Sequence, residues 1–291
     1  MLQPSTPLGA TAIGFTAVLM WATLALLTTL CGPIPPFQLT AMAFSVAFLV
    51  GLVVWARGGG QLSLFTQLPG LVWVIGIGGL FGYHTFYFVA LQNAPPVEAS
   101  LIAYLWPLLI VLLSSTLPGE RLRWFHGVGA LVGFLGAALL ITDGQGFRFN
   151  WQYRWGYLAA FTCALIWSGY SVLSRRYGAV PTAAVGGFCG VTAGLAWLCH
   201  GLLEPTVWPV GGQWGAILAL GLGPVGLAFF TWDYGVKRGH INTLGVLSYL
   251  APLLSTVLLV ITGLAEPSWT LGLASGLIVG GAVLASGKLI R

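Results

Sequence analysis

Seven side chains in this sequence pair an apolar body with a polar tip and stand deep inside apolar stretches: Trp21, Tyr83, His84, Tyr87, Tyr104, Trp106 and Trp167. Tyr83, His84 and Tyr87 fall at i, i+1 and i+4, on one helical face. Hydroxyl, imidazole and indole N–H groups can bond a carboxylate, and ring faces attract an ammonium group. Such a set suits a small zwitterion. No Lys or Arg lies at the middle of these stretches to take the carboxylate instead.

Covalent chemistry finds less to work with. Gly169-Tyr170-Ser171 is the only Gly-x-Ser turn, and no histidine base is evident for its serine. Ser171→Ala should therefore abolish a protease and spare a transporter, whereas Trp167→Ala or Tyr104→Ala should harm the transporter. The six acids never come within ten residues of one another, so a magnesium site for phosphoryl or prenyl transfer is close to excluded. Cys31, Cys163, Cys189 and Cys199 lack C-x-x-C spacing and read as small packing residues, with no metal or cofactor implied. Gly221-Leu-Gly223-Pro-Val-Gly226 fits a dinucleotide pattern, but it follows no strand and lies in an apolar run with a proline.

The elements that must position these residues follow from composition. Of 291 residues, 57% are hydrophobic and 6% charged, with 42 glycines. Soluble domains carry about 25% charged residues. A soluble enzyme, a disordered chain and a disulfide scaffold are excluded. The apolar runs are continuous rather than alternating, which argues against a β-barrel. Ten helical spans are predicted, at 9–30, 37–56, 70–91, 97–117, 124–142, 155–175, 182–203, 213–236, 242–263 and 270–290. The first is too long, and lacks the basic flank, for a cleaved signal. Turn signals separate the spans, among them Gly-Pro-Ile-Pro-Pro at 32–36, Arg-Gly-Gly-Gly at 57–60 and Pro-Gly at 118–119.

With the N-terminus placed in the cytoplasm, that side holds Arg57, Arg121, Arg123, Arg175, Arg176, Lys237, Arg238, Lys288 and Arg291. The other side holds only Arg148 and Arg154. This bias sets both termini inside. It also explains the net charge of +5 without a nucleic-acid partner.

The chain also resembles itself at half its length. Phe15-Thr16 and Leu19-x-Trp21 recur as Phe161-Thr162 and Leu165-x-Trp167. Gly32 and Pro35 recur as Gly178 and Pro181. Tyr104-Leu-Trp-Pro107-Leu-Leu109 recurs as Tyr249-Leu-Ala-Pro252-Leu-Leu254, and Trp124-x-x-Gly127 as Trp269-x-x-Gly272. Copies at 1–145 and 146–291 with five spans each, an odd number, must insert in opposite senses. Inverted repeats of this kind place a binding site near the membrane midplane, between the halves.

The Trp-plus-small pairs (Trp21-Ala22, Trp167-Ser168), the Tyr-Leu-x-Pro-Leu helix of each half and the acid after it (Glu120, Glu266) carry a resemblance. The sequence resembles EamA-type members of the drug/metabolite transporter superfamily over essentially its whole length. The resemblance implies an all-α membrane protein of ten helices, in two inverted five-helix repeats around a central cavity. Tyr83-His84-x-x-Tyr87 and Tyr104-Leu-Trp106-Pro107 are similar to the aromatic amino acid exporters of that family. This implies export of aromatic and other neutral amino acids from the bacterial cytoplasm, by a monomer whose other partner is membrane lipid. A multidrug or other metabolite exporter is the alternative. The first span lacks the glutamate of small multidrug-resistance proteins, and no mid-span cation is present to hold a sugar phosphate.

Plainer readings compete at several positions. Trp55, Trp73, Trp124, Trp151, Trp155, Trp208, Trp214 and Trp269 lie near span ends or in loops, as an interfacial belt requires. His84 is the only histidine well inside a span, and an intramembrane ionisable residue is a functional candidate; a neutral ring bonded to a neighbouring hydroxyl is the other reading. Pro107 and Pro252 each delete a helix hydrogen bond, which yields either a hinge or a static bend. Asp233 and Lys237 predict an i, i+4 ion pair. Glu98 complements the dipole of the fourth span. The Gly129/Gly133 and Gly272/Gly276/Gly280 spacings predict close helix contact.

Overall fold

The computed structural model describes residues 6–57, 67–147 and 149–285. Arg148, Lys288, Arg291, the glycines at 58–60 and the end of the tenth predicted span (286–290) lie outside these residues. Ten helices make the fold: α1 (Pro7–Leu30), α2 (Pro36–Arg57), α3 (Gly70–Asn93), α4 (Pro96–Ser114), α5 (Trp124–Ile141), α6 (Trp151–Arg176), α7 (Ala184–Leu203), α8 (Gln213–Arg238), α9 (Ile241–Ile261) and α10 (Trp269–Ala285). Among the described residues, α1 to α9 are long and apolar enough to cross a bilayer, and α10 is a shorter apolar helix. No strand occurs among them. The protein is an all-α, multi-pass membrane protein, and its helices match the predicted spans to within four residues at every described end.

Local chemistry sets the boundaries. The Thr6 hydroxyl accepts from the Gly9 N–H and opens α1. Proline begins α2 and α4, where a missing N–H costs nothing. Gly32 and Gly119 turn the chain after α1 and α4 at φ of 71° and 83°, values that a side chain would oppose.

Five helices are interrupted. Short turns break α1 at Ala22–Thr23, α4 at Tyr104–Leu105 and α9 at Ser248–Tyr249. Single π-helical turns interrupt α3 at Gly78–Gly82 and α8 at Gly223–Leu227. The π-turn of α8 begins 145 residues after that of α3.

The helices meet at small residues. A Cβ built on Gly14 of α1 would lie 2.9 Å from the Gly235 Cα of α8, and one on Gly51 of α2 would lie 2.7 Å from the Gly186 Cα of α7. In lipid, close backbone approach of this kind drives helix association, because no hydrophobic gain separates helix from tail. The α2–α7 seam is antiparallel: Ser45 meets Trp197, Phe48 meets Gly190, and Trp55 meets Ala183. The α5–α10 seam runs the same way, with Gly129 on Ala285 and Gly136 on Ile278.

Two sequence expectations change. Gly129 and Gly133 do face α10, where they meet Gly281, but Gly272, Gly276 and Gly280 have nothing within 4 Å of a built Cβ. Their four-residue spacing selects one face of α10, and that face points away from the protein. Trp55 is 7% exposed and donates its indole N–H to the Ala183 carbonyl at 2.8 Å, so it fills the α2–α7 seam rather than an interfacial belt. Trp124, Trp151, Trp155, Trp208, Trp214 and Trp269 are exposed, as a belt requires.

Leucine at Gly235 must push α1 and α8 apart. Overpacking costs about 1–3 kcal/mol, so Gly235→Leu should lower the melting temperature of the purified protein by roughly 3–10 °C. Gly276→Leu should leave it unchanged. Equal effects in a thermal unfolding assay would contradict these packing assignments.

Candidate functional site

The interrupted helices converge on a central cavity of about 100 Å³. Six of the seven sequence candidates line it: Trp21, Tyr83, His84, Tyr104, Trp106 and Trp167. Tyr87 does not. It stacks behind Tyr83, with ring centroids 6.1 Å apart and planes 12° apart, and its hydroxyl meets Ser100 Oγ at 3.0 Å. Leu24, Pro224, Val225, Phe229 and Ala251 complete the wall.

Sequence reasoning missed those five. The repeat offset held a usable signal: Phe229 is 145 residues after His84, and Ala251 is 145 after Trp106. Trp232, 145 residues after Tyr87, was missed as well. It is fully buried, and its ring touches Trp21 (5.1 Å), Trp106 (5.8 Å) and Trp167 (6.2 Å). Trp232 is thus the base on which three wall indoles rest.

Side chains at or beside the cavity bond backbone groups at the interruptions of α8, α3 and α4. The Trp21 indole N–H donates to the Pro224 carbonyl of the α8 π-turn at 3.0 Å. His84 Nδ1 lies 2.7 Å from the Leu80 carbonyl of the α3 π-turn. Pro107 follows the α4 break, and the next N–H, of Leu108, donates to the Tyr249 hydroxyl of the α9 break at 3.1 Å. Single π-turns occur often at functional sites.

The charged groups are engaged away from this cavity. Asp233 and Lys237 form the predicted pair at 2.8 Å, both buried; Thr182 donates to Asp233 and Lys237 donates to the Val180 carbonyl. Glu98 lies in the first turn of α4 and accepts from the Tyr157 hydroxyl. Arg175 pairs with Glu120 and donates to the carbonyls of Val236 and Gly239. Among the described residues, no Asp, Glu, Lys or Arg lines the cavity. No group of His, Cys, Asp or Glu that could hold a metal occurs among the described residues.

Ser171 has no histidine against it. Its hydroxyl donates to the Trp167 carbonyl at 2.9 Å and accepts from Trp232 Nε1 at 3.0 Å. It is therefore a structural bridge under the tryptophan cluster. Removing it would leave a buried indole N–H unpaired, at a cost of about 1–3 kcal/mol, so Ser171→Ala is not the silent change that its sequence context suggests.

Comparison with known proteins agrees with this architecture. The model of the EamA-like transporter family matches residues 8–142 and again 154–287. A protein of Ancylobacter novellus named aromatic amino acid exporter YddG is 59% identical over 278 residues, 95% of this chain and 96% of that one. The Escherichia coli protein of the same name is 23% identical over 94% of this chain and 96% of its own length. A solved crystal structure, 58% identical, superposes with a TM-score of 0.91 over 96% of this chain and 98% of that one. The chain belongs to the EamA-like transporter family.

Proposed function

We propose that this protein exports aromatic and other neutral amino acids from the cytoplasm across the bacterial inner membrane by alternating access. One observation carries the reading: the central cavity is aromatic and free of charged side chains, in a chain 59% identical over nearly its whole length to a protein named an aromatic amino acid exporter. Ring walls can hold an apolar or aromatic side chain, while indole, imidazole and phenol tips can take the polar end.

The two halves, 1–145 and 146–291, act as copies inserted in opposite senses. The family match falls once in each half. The π-turns lie 145 residues apart. Repeat mates α2 and α7 pack antiparallel, as do α5 and α10. The cavity takes its wall from matched positions of both halves: Trp21 and Trp167, His84 and Phe229, Trp106 and Ala251. A site so placed can be exposed to either side by rocking the halves. Pro107 and Pro252, next to the breaks of α4 and α9, serve as hinges. The charge bias of the loops keeps both termini cytoplasmic. A single chain forms the whole cavity, so a monomer suffices.

Purified protein in liposomes should carry radiolabelled phenylalanine above empty liposomes with no ion gradient imposed, and unlabelled amino acids should compete. Trp167→Ala and Tyr104→Ala should each cut that flux roughly tenfold, a loss of about 1.4 kcal/mol of substrate contact. Absent flux from folded protein would remove the substrate assignment. For topology, Thr6→Cys should react with an impermeant maleimide only from the cytoplasmic side, and Trp151→Cys only from the outside. The reverse labelling would invert the proposed direction of insertion.

A further inference from the structure

We propose that His84 receives the substrate's ammonium group at Nε2 and that the carboxylate is held on a different set of groups, the donors of Trp106, Trp167 and Tyr104. This rests on the amino acid reading above and deepens it, because it fixes which way round the zwitterion lies.

The argument starts at the α3 π-turn. His84 Nδ1 lies 2.7 Å from the Leu80 carbonyl oxygen. A carbonyl oxygen only accepts, so the proton of the ring is on Nδ1. The same oxygen also takes the backbone N–H of Tyr83, which leaves the imidazole as the partner that must adapt. Around the ring stand Phe44, edge-on at 5.2 Å, Tyr83 at 5.5 Å and Phe88 at 6.4 Å. No carboxylate faces it: Glu98, Glu120, Asp143, Glu204 and Asp233 are bonded to partners elsewhere, and Glu266 is exposed between α9 and α10. A ring whose one proton is on Nδ1 presents a lone pair at Nε2. His84 lines the cavity, and Nε2 has no hydrogen-bond partner among the described residues.

An ammonium group has only donors to offer, and a carboxylate only acceptors. The two ends of a zwitterion therefore sort themselves onto different parts of the wall. The indole N–H of Trp21 is already held by Pro224. Those of Trp106 and Trp167 have no hydrogen-bond partner among the described residues, and their rings meet edge-on with centroids 6.3 Å apart. The Tyr104 side chain lines the cavity, and its hydroxyl likewise has no hydrogen-bond partner among the described residues. The Tyr83 hydroxyl, also on the wall, is hydrogen-bonded to the Cys163 thiol, so these three are the donors left for the carboxylate, and none of them can match the lone pair of a ring nitrogen for the ammonium.

The second half of the chain supplies the test variant, because Phe229 occupies the matching position there. His84→Phe keeps an aromatic ring among the same neighbours and removes Nε2. Binding of labelled phenylalanine to the purified protein should be competed by phenethylamine, which lacks the carboxylate, and by 3-phenylpropionate, which lacks the ammonium. His84→Phe should weaken phenethylamine at least about tenfold, as loss of a hydrogen bond to a charged group requires, and leave 3-phenylpropionate within about twofold. His84→Gln, whose amide oxygen is an acceptor, should restore part of the phenethylamine affinity and serves alone should His84→Phe fail to fold. Equal weakening of both competitors, selective weakening of 3-phenylpropionate, or no change in either would overturn the assignment while phenylalanine binding by the wild type upholds the amino acid reading. Failure of the wild type to bind phenylalanine would overturn both.

Discussion

A bilayer offers no water to a backbone group that a broken helix leaves unpaired, and each such group costs several kcal/mol unless protein supplies a partner. Five of the ten helices here are interrupted at mid-depth. Side chains brace the interruptions of α8, α3 and α4. Trp21 donates to Pro224, His84 to Leu80, and Leu108 to Tyr249. Trp21 and His84 are also cavity walls. Opening a cavity and repairing the helices around it are thus one structural problem with one set of side chains, and mutation of the wall disturbs the frame as well as the site.

The rest of the fold holds that arrangement in place from both ends. Polar ties join the halves at the end that carries the start of α1. Thr11 accepts from the His240 N–H, Ser114 bonds Asn242, and Arg175 bridges Glu120 to the carbonyls of Val236 and Gly239 at the end of α8. Gly14 and Gly235 bring α1 and α8 together in the same region. Beyond the Ala22–Thr23 break, the segment Leu24–Leu30 of α1 has no buried residue. At the other end the Glu204 carboxylate accepts from the Phe37 and Gln38 N–H groups, Gln38 exchanges two hydrogen bonds with Val207, Tyr157 donates to Glu98 and Thr270 donates to Asp143. Alternating access, as proposed, has to loosen the polar ties of one end while those of the other hold.

Much of this was legible in the sequence because a membrane enforces simple rules. Continuous apolar runs located the helices, and the i, i+4 spacing of Asp233 and Lys237 located their pair. Mid-depth aromatics with polar tips located most of the cavity wall, since an interfacial belt cannot account for them. The failures share a cause. A periodic pattern names a face without naming its neighbour, so the stripe at Gly272, Gly276 and Gly280 was assigned to packing when it points outward. Trp55 lies near a span end, yet a seam with α7 buries it. The π-turns leave only a clustering of glycine at 78–82 and 223–226, which serves equally for close packing. Phe229, Trp232 and Ala251 carry no polar pattern of their own and emerge only when the repeat offset is applied to the other half.

That offset also shows what the repeat does not share. Tyr83, His84 and Trp106 of the first half correspond to Ala228, Phe229 and Ala251 of the second. The π-turns of α3 and α8 recur at that offset, but the polar tips belong mainly to α3 and α4, and the matching positions of α8 and α9 are apolar. A symmetric frame suits a protein that must present one site to two sides, since the two arrangements can have similar energy. A symmetric lining would serve an amino acid poorly, because its charged end and its side chain need opposite surroundings. Under the proposed amino acid reading, divergence of the lining resolves the conflict: His84, Tyr104 and Trp106, with Trp167, take the polar end, and the apolar positions Phe229 and Ala251 are left for the side chain.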